Sequence, residues 1–92
     1  MRLPATVRIT SKIKYDVLSS PCIGELHGIC DFEKLQIVIN PHQSNTEAHK
    51  TLIHEILHAV SNEYDAGLTE NQVRALEEGL YKLFKLNKDL RF

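Results

Sequence analysis

The chain has 92 residues, 42% of them apolar and 25% charged, with a formal net charge of -1. That length supports one modest hydrophobic core, so a single domain spanning 1–92 is expected. The near-zero charge offers no general attraction to nucleic acid or anionic membrane, no apolar run is long enough to cross a bilayer, and the N-terminal MRLPATVRIT lacks the apolar core of a secretory signal. A cytoplasmic protein with neither nucleic acid nor membrane as partner is the expectation.

Across residues 6–17, Val7, Ile9, Ile13, Tyr15 and Val17 keep one phase of a two-residue alternation, the pattern of a half-buried strand. After the break LSSPC, the runs 23–31 and 35–40 flank the polar DFEK as a hairpin would. The first 40 residues thus predict a small antiparallel sheet of about three strands. Cys22 and Cys30, in a chain without an export signal, are expected to be reduced thiols acting as small apolar fillers.

Pro41 has no amide donor for a ladder and closes the last strand. HQSNTE then supplies helix-start chemistry: Ser44 and Glu47 match a capping box, with Asn45 or Thr46 as alternative caps, and a helix over about 46–63 follows. Gly67 suits the left-handed conformation that ends it. Thr69 and Gln72 form a second capping box, and Val73, Leu76, Leu80, Leu83 and Phe84 recur at helical spacing, which predicts a second helix over 70–86. The order of sheet, helix, short turn and helix defines an α+β class.

The first of these helices carries His54-Glu55-Ile56-Leu57-His58. Residues four apart on a helix lie about 40° apart around the axis, so both imidazoles can reach one ion. Ile53, Ile56, Leu57 and Val60 fall on the opposite side, which predicts the buried back of the helix. Glu55 lies one step further round, outside the coordination direction of the histidines but within reach of a water in an open metal position, as a general base must be. H-E-x-x-H therefore points to Zn2+ held by His54 and His58 with Glu55 as the catalytic group. Chance would place this spacing in roughly two per cent of shuffled versions of the chain, so composition alone does not account for it.

His27, His42 and His49 are read as hydrogen-bonded or surface histidines, and Cys22, His27 and Cys30 lack a fourth partner for a metal cluster. Tyr64 and Tyr81 are candidates for an oxyanion donor, with helix-end packing the favoured reading.

TLIHEILHAV followed by GLTENQVRALEEGLYKLFKLN resembles the small phage- and prophage-encoded zincin-like proteins related to the ImmA/IrrE metallopeptidases, as does the hairpin stretch GELHGICDFEKLQIVIN. The resemblance covers roughly residues 24 to 86. It implies a minimal zincin fold, a gluzincin-like zinc peptidase acting on a protein or peptide substrate, and a ligand from the helix pattern E-x-x-A-x-x-(F/L), which Glu70 to Leu76 follow with Val73 at the alanine position. The additional helices and DNA-binding domain of larger members are not matched by this chain.

No histidine follows His58, so the third ligand comes from Glu70, Glu77 or Glu78. Twenty residues separate His58 from Glu78, the spacing of thermolysin-like enzymes. Helical phase places Glu78 nearly opposite the apolar stripe of the second helix, and Glu70 and Glu77 on its flanks. Glu70, in the first turn where the helix dipole favours a carboxylate, is the expected ligand, and Glu77 is expected to hydrogen-bond a ligand histidine.

Two other functions compete: a non-catalytic module in which zinc staples the helices and the sheet edge binds a partner protein, and a helix-turn-helix, disfavoured by the acidic second helix. If strand 35–40 is a sheet edge, an extended peptide could pair with it across the metal.

Overall fold

A computed structural model of the chain describes residues 3–90, apart from the side chain of Cys22. Four strands and two helices follow one another: β1 (Thr6–Arg8), β2 (Lys14–Ser19), β3 (Gly28–Asp31), β4 (Gln36–Ile39), α1 (Asn45–Glu63) and α2 (Glu70–Leu86). The α+β class holds, and the sheet departs from expectation in strand number and direction. It is mixed and four-stranded in the order β1-β2-β4-β3, with β2 and β4 parallel.

The stretch 6–17 is a hairpin instead of one strand. Thr10 Oγ1 accepts from the amides of Lys12 and Ile13, both at 3.0 Å, and so bends the chain back. Val7 pairs with Tyr15, so the apolar phase runs unbroken through the turn. The expected strand 23–31 is also shorter. Pro21–Ile23 form a single 3-10 turn. The carbonyls of Gly24 and Leu26 bond to Asn40 Nδ2 at 3.1 and 3.0 Å instead of to a neighbouring strand.

In the β3–β4 connection, Asp31 Oδ1 accepts from the amides of Glu33 and Lys34, and Leu35 adopts a positive φ of 54°. β4 lies inside the sheet, between β2 and β3, with Ile37 and Ile39 buried and Val38 half-buried. A strand apolar on both faces belongs in a sheet interior. Pairing of a peptide with 35–40 is therefore excluded, and β3 is the edge on that side.

α1 begins at the expected capping box: Ser44 Oγ accepts from Glu47 N, and Glu47 Oε1 accepts from Ser44 N. Its buried residues are Thr51, Leu52, Glu55 and Ala59. Ile53, Ile56, Leu57 and Val60, the expected buried back, are only half-buried. The reason is geometric: the sheet covers the Leu52 and Ala59 side, where the core also contains Tyr15, Ile37 and Ile39. Tyr15 donates from its hydroxyl to Glu63 Oε2 at 3.0 Å, tying the end of α1 to the sheet. Burial and this neighbouring carboxylate both push the Tyr15 hydroxyl above the ordinary tyrosine range.

Asp65, not Gly67, takes the first left-handed position after α1, with φ 52°. The amide of Ala66 then reaches back to Ser61 O at 2.9 Å, the long bond of a Schellman ending. Gly67 follows with φ 61° and turns the chain into α2. There Thr69 is the cap, reciprocated by Gln72, as expected. α2 packs along α1 and buries Val73 alone. Among the described residues, no helix is long and apolar enough to cross a membrane.

Candidate metal centre

His54 and His58 project from α1 a turn apart, their Nε2 atoms 3.2 Å from each other. The short connection after α1 sets the first turn of α2 beside them. Glu70 Oε1 lies 2.8 Å from His54 Nε2, and Glu70 Oε2 lies 3.3 Å from His58 Nε2. The ligand atoms of His54, His58 and Glu70 all fall within 4.8 Å of one another and form a group that could hold a metal ion. Donors at the corners of a tetrahedron with metal–ligand bonds near 2.0 to 2.1 Å stand about 3.3 Å apart, close to the separations found here.

Glu77 completes the surroundings of His54. Its Oε1 lies 2.8 Å from Nδ1, and the carboxylate is largely covered. With the Nδ1 hydrogen donated to Glu77, Nε2 turns a lone pair toward Glu70, an arrangement completed by a proton or a cation between them. The three glutamates are placed apart: Glu70 lies beside both histidines, Glu77 lies against His54 alone, and Glu78 pairs with Lys50 at 2.8 Å on the exposed surface.

Glu55 is 7% exposed and receives no hydrogen bond among the described residues. Burial raises its carboxyl to about 7; His54 opposes the rise, and Glu70 and Glu77 add to it. It faces a cleft of about 550 Å³ between β3 and α2, bordered also by His27, Gly28, Thr51 and Arg74.

Gly28 was not singled out by the sequence. A Cβ on it would sit 2.6 Å from Thr51 Cγ2 and 3.2 Å from Glu55 Cγ, so β3 lies against α1 with no side chain between them. A glycine inside an apolar strand run was the available signal of such an approach. Gln43 braces the same junction: its Nε2 donates to the carbonyls of His27 and Asn40, and its Oε1 accepts from Thr51 Oγ1 at 3.0 Å.

The remaining candidates lie elsewhere. The Tyr64 hydroxyl donates to Ile9 O at 3.2 Å. Tyr81 packs beside His49 and under Lys50 and Lys85. Neither tyrosine lines the cleft. Burial lowers the His49 pKa, and His42 sits in the exposed turn before α1. Cys30 is a free, half-buried thiol packed against the core, and burial pushes it up to about 12, which suits the filler role and not that of a ligand. The Cys22 side chain lies outside the described residues.

No family model, no curated protein and no solved structure matches the chain.

Proposed function

We propose that this protein is a zinc-dependent, gluzincin-like metallopeptidase that hydrolyses peptide bonds in a protein or peptide substrate, as the resemblance to ImmA/IrrE-related minimal zincins implies. The observation that carries the reading is a pairing. The two-histidine, one-carboxylate donor group stands at tetrahedral spacing, and two of its members, His54 and Glu70, line the same cleft as Glu55, a residue only 7% exposed that makes no hydrogen bond among the described residues. Nitrogen and oxygen donors in this number are those of catalytic zinc sites, which keep one position open.

His54, His58 and Glu70 would hold the zinc, which would supply Lewis acidity toward water and the scissile carbonyl. The chain's own residues do the rest. Glu77 fixes the His54 ring so that Nε2 faces the donor group. Glu55 takes the proton of the attacking water on its carboxylate and passes it to the leaving amine. Its enclosed surroundings, which raise its proton affinity, support that exchange near neutral pH. The free edge of β3, next to α1, offers backbone groups for an extended peptide, replacing the role first expected of 35–40.

A second reading is favoured by one observation: α2 buries only Val73, so an ion bridging the helices would staple a weakly held element without catalysis. Glu55→Gln separates the two. Zinc uptake near one ion per chain is expected in the wild type and the variant, with peptide hydrolysis only in the wild type. Hydrolysis undiminished in Glu55→Gln excludes the proposed base, and a wild type that binds zinc but cleaves nothing in a broad peptide library favours the staple.

A further inference from the structure

The charged groups along the cleft are nearly all engaged. Glu47 closes the capping box with Ser44, Lys50 Nζ lies 2.8 Å from Glu78, Glu77 holds His54, and Glu70 contacts both histidines. Apart from Glu55, Arg74 is the exception. It lines the cleft one turn after Glu70, its side chain is 72% exposed, and its guanidinium makes no hydrogen bond among the described residues. Its ion-pair partner, Glu70 Oε1, stands 3.8 Å from Nε, beyond hydrogen-bonding reach, while that same oxygen is 2.8 Å from His54 Nε2. The Glu70 charge is therefore directed at the donor group and not at Arg74.

A planar guanidinium with five unclaimed N–H donors matches a carboxylate, which it can grip through two parallel bonds. Contacts of 3.8 and 2.8 Å, laid end to end, set the greatest distance of its Nε from the donor nitrogen of His54. That reach is less than two residues of extended chain, consecutive Cα atoms being about 3.8 Å apart. We propose that Arg74 anchors a substrate carboxylate, so that the peptide cleaved carries aspartate or glutamate beside the bond attacked. This rests on the peptidase reading above and names the substrate class of that site.

The test compares two probes of equal chain length on the zinc-loaded protein: succinic acid monohydroxamate, which carries a carboxylate, and butyrohydroxamate, which ends in a methyl group. Titration calorimetry should show the carboxylate probe binding about tenfold more tightly, the effect of one exposed charge-assisted contact. The preference should vanish in Arg74→Gln and survive in part in Arg74→Lys, with zinc content and butyrohydroxamate affinity unchanged in both. Equal affinity of the two probes for the wild type overturns the anchor alone, as does a preference that persists in Arg74→Gln. Failure to take up zinc, or failure of both hydroxamates to bind, overturns the metal-site reading and the anchor with it.

Discussion

The two helices that bring the donor atoms together are supported unequally. α1 lays Leu52 and Ala59 into a core with Tyr15, Ile37 and Ile39, touches β3 at the bare backbone of Gly28, and is tied at its far end by the Tyr15 to Glu63 bond. α2 has one buried residue, Val73, and leaves Leu76, Leu83, Phe84 and Leu86 exposed. His54, Glu55 and His58 are thus preset by packing against a sheet. Glu70 and Glu77 arrive on a helix held by Val73, the half-buried Leu80 and Tyr81, the 64–69 connection, the exposed Lys50–Glu78 pair and their own contacts to the histidines. An ion in this group would join a rigid half to a loose one.

The largest effect should come from breaking the rigid half. His54→Ala removes a donor and the partner of both carboxylates, and should weaken zinc binding by more than the roughly 100-fold that loss of an orienting partner costs. Competition with a chromophoric chelator measures this. Glu77→Ala should cost about 10- to 100-fold in the same assay, and Glu70→Ala should lie between the two variants. Unchanged affinity in Glu70→Ala would mean that α2 does not contribute the third ligand.

Next in size is Gly28→Val, which places a branched side chain where even a Cβ meets Thr51 and Glu55. About 3 kcal/mol of destabilisation is expected from such overpacking, read as a lower urea midpoint of the metal-free protein. Val73→Ala should cost about 2 kcal/mol locally and speed amide exchange along α2 while leaving β2, β4 and the middle of α1 protected. Equal acceleration in both helices would refute the contrast drawn between them.

Alkaline pH probes the sheet side. Burial holds the Cys30 thiol at about 12, against about 9 ordinarily, so between those values the folded chain keeps a proton that the unfolded chain has lost. Stability of the metal-free protein should therefore fall as pH rises above 9 and level off past 12, by at most about 1.4 kcal/mol per pH unit from this group. Tyr15, also raised, acts in the same direction from about 10 upward. Urea midpoints at pH 8 and 10.5 should differ less in Cys30→Ala than in the wild type; an identical difference removes the thiol from the explanation.

What was legible in the sequence was local or periodic. Ser44 with Glu47 and Thr69 with Gln72 lie three residues apart, so both helix starts were visible before any tertiary contact formed. The spacing of His54 and His58 and the phase of Glu70 against Glu78 follow from the helical step. What escaped depends on partners distant in the chain. The hairpin at Thr10 hides because Val7 and Tyr15 share one alternation phase. The parallel pairing of β2 with β4 joins Asp16 to Gln36 across an intervening strand. Asn40 converts half of an expected strand into a loop by taking carbonyls 14 and 16 residues upstream. The rotation of α1 toward Glu55 is set by where the sheet lies, which an apolar moment of the helix alone does not contain.

The smallest effect tests the loose half from its outer side. Glu78 shares α2 with Glu70 and Glu77 and stands at the spacing from His58 that would make it a ligand in a thermolysin-like arrangement, yet it meets Lys50 at the surface, 51% exposed. An ion pair in that setting contributes little, because water screens it and both side chains lose freedom in forming it. The contact also crosses from α1 to α2, so Glu78→Ala asks whether surface charge helps to dock α2. A urea midpoint indistinguishable from the wild type is expected, with zinc affinity unaltered. If Glu78→Ala instead loosens α2 as much as Val73→Ala does, then the Lys50 contact and not the single buried valine is what holds the second helix. In that case Glu70 and Glu77 would be positioned beside the histidines through the surface of the molecule.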